Sequence, residues 1–140
     1  MSSISPFRKS ANEKNVEDLM ADTTLWDKSL YEYTEEITFF KTLVTSDVFE
    51  NKTPNLYEKL QEYYTRITEL KEEKMDLQEA IHNHKNDLDG MMECEDISCE
   101  TFYHSQHHNL MKRIDLHLSR FRDLKLNLIR FTTPLLKKIE

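Results

Sequence analysis

The residues best suited to chemistry lie in one stretch, residues 82–108, which holds five of the six histidines and both cysteines. It reads HNHKNDLDGMMECEDISCETFYHSQHH. Two thiolates with two imidazoles are a common ligand set of zinc, and histidines four residues apart lie on one face of a helix. The pattern therefore predicts a metal site with the preferred ligands Cys94, Cys99, His104 and His108. His84 or His107 could supply or replace a ligand, and zinc is the expected metal, ahead of copper or iron.

The ligand spacing differs from that of a Cys2His2 zinc finger, in which about twelve residues separate the two pairs. Here only four residues separate Cys99 from His104. A second interpretation therefore stays open, in which residues 82–108 form the polar tip of a helical hairpin. In that case the histidines contact solvent, and the two cysteines are reduced thiols that bind nothing.

A short match to a bundle metalloprotein lies beside this stretch. Glu79-x-x-His82 resembles the Glu-x-x-His element of ferritin-like di-iron proteins. Those centres need a second such element on another helix, together with two further glutamates. The chain contains no second Glu-x-x-His, so the resemblance implies no di-iron function.

A second group of polar residues, Lys74, His117 and Trp26, is predicted to form a layer in the core. Counting outward from the predicted loops places Lys74 and His117 level with Trp26. In the structural interpretation, Lys74 places its ammonium over the Trp26 ring or near an acid and fixes the helix register. In the catalytic interpretation, burial lowers the pKa of Lys74, which acts as a base with His117 as its proton partner.

Three long helices are predicted to position these residues. Apolar residues recur at alternating steps of three and four along three segments, which is the pattern of helices packed in a bundle. The first seam runs through Val16, Leu19, Thr23, Trp26, Leu30, Tyr33, Ile37, Phe40 and Val44. The second runs through Leu56, Leu60, Tyr63, Ile67, Leu70, Lys74, Leu77, Ile81, His84 and Leu88. The third runs through Tyr103, His107, Leu110, Ile114, His117, Phe121, Leu124, Leu128, Phe131 and Leu135.

Capping residues predict where the helices begin and end. The first helix covers about residues 13–45, or begins near Leu25 if Thr24 and Asp27 form a capping box. This choice stays open in the sequence.

The second helix is predicted to begin at Pro54 and to end where Gly90 adopts a left-handed conformation. The third begins with Ser98 as its N-cap and reaches Lys138, and Thr132, Thr133 and Pro134 are expected to bend or split it.

The composition excludes several classes of function. The net charge of −7 argues against nucleic acid or an anionic membrane as the partner, because phosphate binding needs an excess of Lys and Arg. The excess of Lys and Arg between Glu100 and Glu140 is better explained by a basic third helix that packs on two acidic ones. A single glycine argues against phosphate-binding loops, and no apolar stretch of about 18 residues is present to span a membrane.

Together these patterns predict an all-α, antiparallel up-down-up bundle of three long helices with heptad-like seams. Residues 13–140 form one domain after a flexible tail of residues 1–12. The bundle is predicted to act in the cytoplasm as a non-enzymatic interaction or structural module, with a protein partner or as a homodimer. The alternative is a metal-binding bundle, and a weaker one is a small-molecule enzyme that uses Lys74 and His117. The predicted partner-binding patch consists of aromatic residues off the seams: Phe39, Phe49 and Tyr64.

Overall fold

The computed structural model describes residues 14–138, and within that range it confirms an all-α bundle of three long helices. Its α-helices are α1 (Val16–Glu32), α2 (Thr34–Val44), α3 (Leu56–Asp87) and α4 (Ile97–Thr132). The 3-10 helices Leu88–Glu93 and Thr133–Leu135 follow α3 and α4. A turn at Tyr33 divides the predicted first helix into α1 and α2. The predicted tail, residues 1–12, lies outside the described residues.

The chain divides into two compact units, each built from one segment of every predicted helix. Within the described residues, the first unit contains residues 14–29 and Leu77–Asp115. The second unit contains Leu30–Asp76 and residues 116–138. Each unit therefore has a three-helix core of its own.

In the first unit, neighbouring helices run antiparallel. Leu19 of α1 packs with Leu88 at the end of α3, whereas Trp26, two turns later in α1, contacts His84. Position increases along α1 as it decreases along α3, so the two helices have opposite directions. A connection of only a few residues after the 3-10 helix then leads into α4, which returns along α3 as the up-down-up topology predicts.

In the second unit, α2 also runs antiparallel to α3. The Lys41 ammonium lies 5.4 Å from the centre of the Tyr64 ring, and Lys74 Nζ donates to Thr34 Oγ1 at 2.6 Å. The connection between these helices pairs with the end of the chain through a single antiparallel bridge, Phe49 with Leu136.

The predicted seams form the cores of the two units. Every seam residue is buried or half-buried, including the polar members of each seam. The buried polar side chains on the seams are Thr23, Lys74, His84, His107 and His117.

The start of α1 decides between the two predicted boundaries. The Asn15 side chain accepts from the Asp18 N–H at 2.9 Å, and the Asp18 carboxylate accepts from the Asn15 N–H at 3.1 Å. This reciprocal cap starts the helix at Val16. A start near Leu25 is wrong, because the Thr24 hydroxyl donates to the Met20 carbonyl inside the helix.

Three other boundaries differ from the prediction. Asp96 rather than Ser98 caps α4, because its carboxylate accepts from the Cys99 N–H at 2.8 Å. α3 begins after Asn55, which takes up the left-handed conformation with φ 58° and so separates Pro54 from the helix. α4 stops at Thr132 and does not reach Lys138, because a 3-10 helix that contains Pro134 follows it, which is the split rather than the bend of the predicted helix.

Gly90 ends no helix in a left-handed conformation, because it has no positive φ and lies inside the 3-10 helix Leu88–Glu93. A glycine is favoured here because the Tyr103 side chain approaches the backbone closely. A Cβ atom at this position would lie 2.5 Å from the Tyr103 hydroxyl oxygen but 3.5 Å from the ring carbon that carries it. The glycine therefore leaves room for one oxygen atom.

We predict that Gly90→Ala destabilises the protein by about 1–3 kcal/mol through this overlap. Tyr103→Phe removes the oxygen, so in that background the same substitution should be neutral or stabilising by up to about 1 kcal/mol, since alanine lowers the entropy of the unfolded chain. A double-mutant cycle by urea unfolding measures this coupling. Equal destabilisation by Gly90→Ala in both backgrounds would contradict the account.

Candidate functional site

A chain of hydrogen bonds crosses the core of the first unit from α1 to α4 to α3. Asp22 Oδ2 lies 2.8 Å from His107 Nε2, and His107 Nδ1 lies 2.8 Å from His84 Nε2. Lys14 Nζ donates to the same Asp22 oxygen at 2.6 Å. An ionised carboxylate can only accept, so Asp22 fixes the proton on His107 Nε2 and leaves Nδ1 to accept from His84. One carboxylate thereby sets the proton positions of two buried imidazoles.

The environment of these imidazoles favours their neutral form. Burial lowers the pKa of His84 below its ordinary value of 6.5, and the nearby His107 lowers it further. Burial also lowers the pKa of His107, although its hydrogen bond and ion pair with Asp22 oppose part of this effect. The Trp26 ring lies against both, with its centre 4.5 Å from that of His107 and 6.5 Å from that of His84.

The second unit contains a similar chain formed by Glu73, His117 and Tyr33. Glu73 Oε1 lies 2.5 Å from His117 Nδ1, and the Tyr33 hydroxyl bonds His117 Nε2. Arg120 donates to the other Glu73 oxygen at 2.9 Å. Because the carboxylate takes the Nδ1–H, Tyr33 must donate its proton to Nε2. Burial raises the pKa of Tyr33 well above its usual range, and the charge of Glu73 adds to this, so the phenol keeps the proton that it donates.

Lys74 lies beside this second chain without joining it. Its ammonium lies 5.9 Å from the centre of the Tyr33 ring, in addition to its bond to Thr34. Burial lowers the pKa of Lys74, and the neighbouring Lys71 lowers it further. No hydrogen bond joins Lys74 to His117 among the described residues, so the geometry does not supply the predicted base and proton partner as a pair.

The predicted layer of Lys74, His117 and Trp26 is arranged differently in the structure. Trp26 packs against the histidines of the first unit, and Tyr33, two turns later in the seam, takes its place over Lys74. The count from the loops could not fix the register of the first two predicted helices. Residues 45–55 instead form a long connection paired with Leu136, and such a connection does not fix the register of the helices it joins.

The predicted metal ligands are not assembled in the structure. Cys94 and Cys99 form a disulfide with a Cα–Cα distance of 5.5 Å, so the expectation of two reduced thiols is wrong here. His104 and His108 line a groove along α4, whereas His84 and His107 belong to the hydrogen-bond chain. Within residues 14–138, no three His, Cys, Asp or Glu side chains are grouped so that they could hold a metal ion. The metal site stays a prediction for the reduced protein.

The carboxylates of the two hydrogen-bond chains are the functional residues that sequence reasoning missed. Asp22 immediately precedes the seam residue Thr23, and Glu73 immediately precedes the seam residue Lys74. An acid in this flanking position can reach a buried imidazole on the neighbouring helix. An acidic residue next to a polar seam position was therefore an available signal.

These chains can orient protons, but their imidazoles are not accessible to a substrate. His117 is 0% exposed, and Tyr33 is 5% exposed. In the second unit, the carboxylate end of the hydrogen-bond chain reaches a groove of about 340 Å³, which Glu73 and Arg120 line with Arg66, Glu69 and Asp123. The arrangement therefore suits structural hydrogen bonding better than catalysis on a bound molecule.

Comparison of the chain with protein families, characterised proteins and solved structures gives no match. Within residues 14–138, no helix combines the length and the apolar character needed to cross a membrane. The site geometry is thus the basis for an inference about function.

We predict that stability falls as the pH drops below 6.5. The folded-state pKa values of His84 and His107 are lowered, so the unfolded chain binds protons that the folded protein does not. Their contribution is complete above 6.5 and is lost as the pH falls toward the folded-state values, by up to about 1.4 kcal/mol per pH unit for each histidine. Urea unfolding between about pH 7.5 and about pH 5.5 measures this slope.

His107→Gln keeps a donor for Asp22 and an acceptor for His84 but does not titrate, so it should reduce that slope. His82→Gln, at an exposed position of the same unit, is the matched control and should leave it unchanged. A wild-type stability that rises with acidification over this range would contradict the account.

We also predict that Tyr33→Phe costs about 1–3 kcal/mol, because it leaves the buried His117 Nε2 without a donor. Glu73→Gln should cost less, because the amide oxygen can still accept from Nδ1 at a half-exposed position. Thermal unfolding of both variants gives the order. A larger loss for Glu73→Gln than for Tyr33→Phe would show that the carboxylate charge, rather than the buried donor, stabilises this chain.

Proposed function

We propose that the protein is a non-enzymatic interaction module, a helical bundle that holds a fixed surface for a protein partner. The observation that carries this proposal is the position of the chemically capable side chains. The histidines on the seams are buried and hydrogen-bonded to one another or to a carboxylate or phenol. In this proposal, the buried histidines stabilise the fold, and exposed side chains carry the function.

Exposed aromatic residues of the second unit support this proposal. Phe39 is 61% exposed and Tyr57 is 72% exposed. A groove of about 370 Å³ lies beside Tyr57, lined in part by Val44, Leu60 and Tyr64. Large exposed aromatic side chains are enriched where proteins bind one another.

The predicted patch changes in one respect. Phe49 is buried, because the bridge to Leu136 holds it against the core, so it leaves the patch that was predicted with Phe39 and Tyr64. The partner in this proposal is another protein or a second copy of the chain, and both are outcomes of the same experiment.

In-cell photo-crosslinking in the organism of origin tests the proposal. A photo-reactive amino acid is placed at Phe39, at Tyr57 and at Ile97, with the exposed polar position Glu72 as the matched control. We expect one discrete crosslinked product from at least one apolar position and none from Glu72. A product of twice the protein's mass identifies a homodimer. The absence of any discrete product from all three apolar positions would contradict the proposal.

A further inference from the structure

The net charge of the described chain is confined to the first unit. Its described residues contain five Lys or Arg and twelve Asp or Glu, a net charge of −7. The described residues of the second unit contain twelve of each and are balanced. The molecule therefore carries an acidic unit and a neutral one.

Ion pairs within the second unit compensate some of its basic residues. Arg120 pairs with Glu73 at 2.9 Å, and Lys125 pairs with Glu36 at 2.8 Å. Both pairs join α4 to α3 or α2, which agrees with the predicted packing of a basic helix on acidic ones. The basic segment of α4 thus already has acidic partners within its own unit.

Within residues 14–138, the acids of the first unit's hairpin tip have no such ion-pair partners. Residues 86–111 contain six acids and no Lys or Arg. All six acids are exposed, and none forms an ion pair with any other described residue. Within residues 14–138, no three of them are grouped so that they could hold a cation.

Large apolar side chains lie among these acids. Met92 is 74% exposed, and Ile97 is 79% exposed. Ile97 and Glu100 line the same groove on α4, which has a volume of about 740 Å³ and continues past His104. We define the tip surface by its six members: Met92, Glu93, Glu95, Asp96, Ile97 and Glu100.

The backbone of the tip surface is held in place. The disulfide joins Cys94 to Cys99 and closes the short loop that carries Glu95, Asp96 and Ile97. Asp96 caps α4, and Cys94 packs against the core cluster that contains Leu88. A fixed surface loses less entropy on binding, which favours a specific partner.

We infer that the tip surface binds a basic amphipathic segment of another protein. This inference rests on the proposed function and names its partner chemistry. Uncompensated carboxylates attract Lys or Arg side chains, while Met92 and Ile97 require apolar contacts that a purely basic segment would not provide. A second copy of the chain fits less well, because Arg120 and Lys125 in its most basic segment already pair with acids of α3 and α2.

The test uses a fluorescein-labelled helical peptide of about 18 residues with Leu on one face and Lys on the other. Fluorescence anisotropy in about 150 mM NaCl measures binding to the full chain. We expect Ile97→Ser and the double variant Glu93→Lys with Glu95→Lys each to weaken binding by about tenfold or more. Glu72→Lys with Asp76→Lys changes the net charge equally at exposed positions of α3 and should change binding by less than about twofold. A peptide with Ser in place of Leu should not bind detectably.

Equal binding by wild-type and tip variants would overturn the inference, and so would an equal loss in the Glu72 and Asp76 variant. Equal binding of the serine peptide would remove the apolar requirement and overturn it as well. Sedimentation of the protein alone gives a further outcome. If the wild type self-associates and Ile97→Ser abolishes this, the partner is a second copy of the chain, which would overturn the inference. In each of these cases a crosslinked partner at Phe39 or Tyr57 would still support the proposed function, so the two proposals fail separately.

Discussion

A buried imidazole must find partners for its ring nitrogens, and this requirement organises the structure. In the first unit, the hydrogen-bond chain takes Asp22 from α1, His107 from α4 and His84 from α3. In the second unit, a chain of Glu73, His117 and Tyr33 also joins residues of all three predicted helices. Each core therefore contains one connection that is complete only when its three segments are in register.

The apolar seams and the polar chains contribute in different ways. Leucine and isoleucine seams supply most of the burial energy, but a shift of one helix by seven residues would exchange one leucine for another at small cost. The same shift would separate His107 from both Asp22 and His84 and leave buried polar atoms without partners, which costs about 1–3 kcal/mol for each. The seams favour a bundle, and the histidines select one alignment of it. This is the best-supported role of buried polar groups in helical bundles.

The sequence predicted the helices and their buried faces, because the burial of one face imposes a period that is visible in a single chain. It did not predict which residues meet across the core. Lys74 was assigned to Trp26, but the long connection of residues 45–55 allows α3 to meet Tyr33 instead. The disulfide was missed because Cys-x4-Cys spacing is compatible with both a metal site and a bond. The pairing of Cys94 with Cys99 depends on where Asp96 starts α4, and the sequence predicted that boundary only to within a turn.

The burial of the histidines limits the chemistry that they can perform. Hydrogen bonds to buried partners occupy the groups that could move protons, and opening His117 to a substrate would remove the contacts that align its unit. Catalysis there would therefore oppose stability, whereas binding at the surface would not. Apart from Asp96, which caps α4, the exposed acids and apolar side chains around Ile97 form no ion pair with other described residues and add little to the core. Exposed Met92 and Ile97 favour association, a liability that a solvated helical hairpin could avoid with polar residues. Ile97 lies on the loop that the disulfide closes, and Met92 lies in the 3-10 helix just before it, so both apolar side chains are held at the surface of the first unit.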